Sequence, residues 1–377
     1  MRKGRRLISI GHSYVVAVNR RLAHEMARVG GWEVTAVAPS LFRGDSRPIA
    51  FEPQENELCQ VEQARANFTS KVHLMLYSKR LRELMRQPWD MVHCWEEPFV
   101  FAGGQVALLT PRTTPFVFYS FQNISKTYPP PFCWIERYCL QRCAGWLAAG
   151  ESVCQTLSGR GYSQKPHRII PLGVDVDRFS PDAESRLAVY KDLSWSSKGA
   201  PVVGYLGRFV PEKGLDLLMR ALESLSTPWR ALFVGSGAME GSLRTWSKRY
   251  GDRVRVVTGV SHGEVPRYLN AMDVLCAPSQ TTARWREQFG RMIIEAFACG
   301  VPVIGSDSGE IPRVVGNAGV LVAESDVSLW TGKIGELVEN LALRSELSSA
   351  GLERARSLYA WSHIARRHLD FFEELLG

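Results

Sequence analysis

Two cations and two carboxylates in the second half of the chain have the types and spacing to bind an anionic, hydroxyl-rich ligand. Residues 203–214 read as a strand ending at Gly207, a loop carrying Arg208 and Lys213, and the opening of a helix. Cations leaving the carboxyl end of one strand can converge on one diphosphate, and each charge-assisted hydrogen bond contributes about 1.5–3 kcal/mol. Taken alone, one Arg and one Lys describe a solvated loop just as well. Residues 287–304 change that weighing. Gly290 stands where a helix begins, 291–298 is helical in pattern, and Gly300 closes the helix before the next strand. A helix N-terminus presents unbonded N–H groups and partial positive charge, so the backbone at Gly290, Arg291 and Met292 can hold the same phosphates. Glu287, before that helix, and Glu295, in its second turn, are spaced to accept hydrogen bonds from two sets of hydroxyls on one extended ligand. The plain alternative is a pair of exposed carboxylates near a helix N-terminus. Against it, the apolar neighbours of Glu295 argue for burial and a partner.

Such residues need a frame, and the rest of the chain supplies one. Short apolar strands at 7–10, 33–38, 91–94, 115–119 and 146–149 alternate with helical stretches at 16–29, 74–85, 99–109 and 135–143. After polar breaks at 172–181 and 194–199 the alternation resumes. Strands then fall at 202–206, 231–234, 254–258, 274–277 and 302–305, and helices at 215–225, 239–249, 291–298 and 328–341. Alternation of this kind implies βαβ units and parallel sheets. The expected class is therefore α/β, with two consecutive doubly wound domains joined near residues 172–200. A length of 377 residues suits two domains of about 150 residues each. Ligands of doubly wound sheets sit at the carboxyl ends of strands, and two such domains are expected to face each other across a cleft.

The joint pattern Gly207-Arg208, Lys213-Gly214, Glu287 and Glu295 resembles the retaining glycosyltransferases of family 4, the glycogen-synthase-like "glycosyl transferases group 1" type. A weaker likeness extends through the first half and the final helix. The resemblance implies the GT-B fold, two Rossmann-like domains with the active site between them. On that reading 1–172 is an acceptor-side domain rejoined by a helix within 361–377, and 173–360 binds the nucleotide-sugar. It implies retaining sugar transfer from a nucleotide-diphosphate sugar as donor substrate, with no cofactor and no metal. Position by position, it implies Arg208 and Lys213 on the diphosphate, Glu295 on the ribose and Glu287 on the donor sugar. Gly290, Arg291 and Met292 would complete the pyrophosphate site, Val260 would lie near the base, and Gly235 would form a neighbouring strand-end turn. Glu287, Arg208 and Lys213 are the expected catalytic group. No protein base is needed, because the leaving diphosphate can take the acceptor proton while the protein supplies positioning and stabilises departing charge.

The acceptor half is less defined. Gly11 stands alone where the family has a glycine pair, and His12 and Tyr14 either face the ligand or only close the turn. Either His93 or Trp95 occupies the place of a family histidine, and His93 reads equally as a satisfied core residue. Glu97 can contact the acceptor. The proline-aromatic stretch 121–132 is either an acceptor wall or a plain loop. Arg65, Lys71, Lys79, Arg80, Arg82 and Arg86 form either a solvated face or a surface for anionic lipid, at about 1 kcal/mol per charge. The net charge of +8 favours an anionic partner, whether nucleotide, nucleic acid or acidic membrane surface, without choosing among them; the expectation adopted is contact with an anionic membrane surface and a carbohydrate or lipid-linked acceptor in envelope polysaccharide or glycolipid synthesis.

No stretch approaches the ~20 apolar residues of a spanning helix, and the N-terminal apolar run is too short for a signal peptide. Eight cysteines without metal-ligand spacing read as reduced thiols, hence a cytoplasmic protein, peripheral at most. The rivals are a glycosidase, a nucleotide-sugar epimerase of the same fold, and a non-catalytic anion- or nucleic-acid-binding protein. A glycosidase has no use for the two cations, and no nucleic-acid recognition motif is present.

Overall fold

A computed structural model describes residues 4–44 and 48–377. The chain forms two compact units, Met1–Pro171 with Trp361–Gly377, and Leu172–Ala360. Segment 172–200 is not a free linker. It contains the helix Ala183–Asp192, whose N-cap Asp182 accepts from the Glu184 and Ser185 N–H groups, and whose Arg186 pairs with Asp273 at 2.9 Å.

The first unit is built on a seven-stranded sheet: β1 Arg5–Ile10, β2 Trp32–Pro39, β3 Gln60–Ala64, β4 Met91–Cys94, β5 Phe116–Ser120, β6 Gly145–Ala148 and β7 His167–Ile169. The order is β7-β6-β5-β4-β1-β2-β3 and all pairs are parallel. The inner strands are apolar without alternation because helices cover both faces. The final helix, Trp361–Leu376, belongs to this unit, with His368 and Phe372 buried against the sheet beside His93. One expected helix is wrong: residues 74–85 hold a short strand, Leu76–Tyr77, and only then the helix Lys79–Met85. Leu76 and Tyr77 pair antiparallel with Asn67 and Ala66, which interrupts the helix.

The second unit has β8 Val202–Arg208, β9 Arg230–Ser236, β10 Val254–Val257, β11 Val274–Ala277, β12 Val303–Ser306 and β13 Val320–Val322. Their order is β10-β9-β8-β11-β12-β13, again parallel throughout. In each sheet the chain runs outward from one central strand, then returns to that strand's other side. The crevices of topological reversal therefore lie between β1 and β4, and between β8 and β11, where doubly wound sheets bind ligands.

Candidate donor and acceptor sites

In the second unit the expected residues assemble at the β8/β11 reversal. After β8 the chain makes a short 3-10 turn, Pro211–Lys213, and Gly214 opens the helix Leu215–Glu223. Gly214 has φ +72°, and a Cβ there would lie 1.8 Å from the Pro278 carbonyl oxygen after β11. The two loops thus meet backbone to backbone, and the Gln280 N–H donates to the Glu212 carbonyl at 2.8 Å. That approach brings Lys213 to Glu287: Nζ donates to Oε2 at 2.5 Å, with the side chains 12% and 8% exposed. Ser279 Oγ donates to the same Oε2 at 2.7 Å, and the ammonium lies 4.9 Å from the centroid of the Trp285 ring.

Three residues after Glu287, Gly290 (φ +83°) starts the helix Arg291–Ala298 without a side-chain cap. The helix is anchored by its apolar face, Ile293, Ile294, Ala296 and Phe297, all buried. Its first N–H groups, at Arg291 and Met292, start beside the Lys213–Glu287 loop, the arrangement that favours an anion.

Arg208 behaves differently from Lys213. Its side chain is 60% exposed, and Glu212 is 4.0 Å away. Glu295 is partly buried on the helix that Gly290 starts. It emerges at the edge of the helix's apolar face. Desolvation nonetheless raises its pKa, opposed by the positive charges of Arg291 and Arg178. Gly235 pairs with Gly207 in register at the ends of β9 and β8, and a Cβ there would lie 1.8 Å from the Gly207 carbonyl oxygen. Val260 follows β10 at the edge of the sheet, in a loop tied by Ser261 Oγ donating to Glu264 at 2.7 Å.

In the first unit the β1/β4 reversal is organised by a residue that sequence reasoning passed over, Glu96. This buried carboxylate accepts from the His12 backbone N–H at 2.6 Å and from Tyr77 Oη at 2.8 Å, and its other oxygen lies 2.6 Å from His12 Nδ1. His12 is desolvated, but the charge and hydrogen bond of Glu96 outweigh that and raise its pKa. Gly11 allows this turn through space: a Cβ would come within 2.9 Å of Trp95 Cβ. Glu97 turns the other way, accepting from Ser120 Oγ at 2.6 Å and the Phe121 N–H at 2.7 Å. Desolvation pushes its pKa up to about 7.

Tyr14 and His93 are fully buried. Ser9 Oγ bridges Tyr14 Oη (2.6 Å) and His93 Nδ1 (2.8 Å), while burial and then His368 hold the His93 pKa well below its usual value. Both pack within the core of this unit. Trp95 follows the strand and stacks parallel to Phe121 at 6.0 Å.

Residues 193–354 match the model for glycosyl transferases group 1, and residues 15–178 match that for glycosyltransferase family 4. The chain belongs to the family 4 glycosyltransferases. It is 31% identical over 205 residues to a GDP-mannose-dependent monoacylated alpha-(1-6)-phosphatidylinositol monomannoside mannosyltransferase of Corynebacterium glutamicum, covering 52% of this chain and 54% of that one. It is 25% identical over 269 residues to a 2-deoxystreptamine glucosyltransferase of Streptomyces kanamyceticus, covering 69% and 68%. The chain spans about half the length of the first curated relatives it matches. Sucrose-phosphate synthase from Thermosynechococcus elongatus superposes with a TM-score of 0.74 at 20% identity, covering 98% of this glycosyltransferase and 99% of that chain. Anabaena HepE, solved with UDP and glucose, gives 0.74 at 15% identity, covering 98% and 100%. The fold is GT-B.

Proposed function

We propose that this glycosyltransferase moves a sugar from a nucleotide-diphosphate sugar to a hydroxyl of a lipid-linked or carbohydrate acceptor, with retention and without a metal ion. The observation that carries this reading is the Lys213–Glu287 pair at the β8/β11 reversal, beside the Gly290 helix start. It supplies cation, carboxylate and N–H donors for one ligand bearing both diphosphate and hydroxyls. Curated relatives named for GDP-mannose and phosphatidylinositol mannosides support a glycolipid acceptor at the inner, cytoplasmic face of a membrane.

In the reaction the bond from the anomeric carbon to the diphosphate oxygen breaks, and the bond to the acceptor oxygen forms on the same face. The acceptor proton passes to the leaving diphosphate. Lys213, Arg208 and the helix start stabilise the charge that develops there, Glu287 orients the sugar, and Glu295 holds the ribose hydroxyls. Proton NMR of the first-formed product tests this. Retained anomeric configuration is expected, and an inverted product would refute the same-face mechanism.

A further inference from the structure

In the turn 281–286, between β11 and Glu287, every residue but Trp285 is exposed. Trp285 is partly buried, and its ring centroid lies 4.9 Å from the Lys213 ammonium. The turn that carries it is braced at both ends. At the root, the Thr281 N–H donates to Glu324 Oε2 at 2.6 Å, and Thr281 Oγ1 lies 2.9 Å from Ser308 Oγ. Ser308 follows β12 and Glu324 follows β13, so three successive strand ends hold one loop. At the tip, the Thr282 N–H donates to the Trp285 carbonyl at 2.8 Å. The indole therefore hangs from a fixed backbone.

Lysine ends in a strongly hydrated point charge on a flexible four-carbon stem. Two contacts restrain it here. Glu287 accepts from one of the three N–H donors of the ammonium, and in doing so opposes its charge. The face of an aromatic ring also attracts the cation, through its quadrupole, but carries no net charge. It holds the ammonium without cancelling the field that a phosphate would feel. Indole gives the strongest such face, and the attraction grows where water is excluded. The Lys213 side chain is largely buried. A leucine at position 285 would keep apolar bulk and lose the attraction.

We propose that Trp285 is a positioning residue for the donor diphosphate, acting through the Lys213 ammonium. The inference rests on the nucleotide-sugar reading above and adds to it a residue outside the motif of glycines, cations and carboxylates.

The test is titration calorimetry of the full chain and its Trp285→Phe and Trp285→Leu variants, without acceptor. The probes are UDP, GDP and ADP, the matching monophosphates, and the corresponding nucleotide-glucoses. The quantity read is the preference for diphosphate over monophosphate, the ratio of the two Kd values. It should fall about tenfold in Trp285→Leu and stay within about threefold of the parent in Trp285→Phe, which keeps an aromatic face. A residue that only stabilises the turn would weaken both nucleotides alike and leave the ratio unmoved. An unchanged ratio in Trp285→Leu, or an equal fall in Trp285→Phe, overturns the proposal. So does a loss confined to the nucleotide-glucose, which would place the ring on the sugar, or a Trp285→Leu chain that no longer melts cooperatively, which would make the ring structural. A parent that binds none of the nucleotides overturns the transferase reading and this inference with it. A parent that binds diphosphate with a ratio indifferent to Trp285 overturns this inference alone.

Discussion

Lys213→Ala separates the structural and chemical work of one ammonium group. The Lys213 and Glu287 side chains are 12% and 8% exposed, 2.5 Å apart. Removing one partner of a buried pair costs about 3–5 kcal/mol, because the remaining charge is left uncompensated. The hydrogen bond from Ser279 to the same oxygen eases that penalty, which puts the expected loss of stability near 3 kcal/mol. On the chemical side the variant loses a charge-assisted contact whose strength grows as the diphosphate departs. That predicts a fall in kcat/KM for the donor on the order of 10²–10³. The double variant Lys213→Met/Glu287→Gln removes both charges and should recover most of the stability while staying inactive. Denaturant unfolding and donor-turnover kinetics on the three proteins check this. A single variant within about threefold of the parent kcat/KM, or a double variant that regains activity, would refute the reasoning.

Three further outcomes follow from the geometry. Glu97 has a folded pKa near 7, above the ordinary value near 4.3, so the folded state keeps a proton that the unfolded chain has lost. Stability should therefore decline by about 1–2 kcal/mol as pH rises from about 4.5 to 7, discounted for partial exposure, and Glu97→Gln should flatten that slope in pH-dependent melts. Glu96→Gln removes the charge that raises the His12 pKa. It should raise the acceptor KM about tenfold with little change in donor affinity and move the pH profile toward lower pH, as steady-state kinetics would show. Gly214→Ala places a Cβ against the Pro278 carbonyl in a left-handed residue. It should cost at least about 2 kcal/mol in denaturant unfolding and weaken donor binding by displacing Lys213.

The inner strands were legible because parallel strands buried on both faces form short apolar runs, as at 91–94 and 274–277, where the observed limits coincide with the expected ones. The edge strands of the first sheet were not. Gln60–Ala64 and His167–Ile169 are largely polar, since an edge strand is covered on fewer sides. The convergence of Lys213 and Glu287 beside the Gly290 helix start could be read from spacing, because adjacent β–α loops of a doubly wound sheet converge. Glu96 could not. In Glu96-Glu97-Pro98 both carboxylates look alike, and only the chain path shows that Glu96 turns to His12 and Glu97 to Ser120. His93 lies within β4 against the final helix, while Trp95 is the first residue beyond the strand and stacks on Phe121.

On the proposed function, the β8/β11 reversal binds a nucleotide-diphosphate sugar through Lys213. A thermal-shift titration with UDP, GDP, ADP and their sugars, on the parent and Lys213→Ala, tests it most directly, since a ligand bound only by the folded state raises Tm by mass action. One nucleotide series should stabilise the parent at micromolar concentration, and the shift should be lost in Lys213→Ala. No shift with any of the three series, or an equal shift in both proteins, would contradict it.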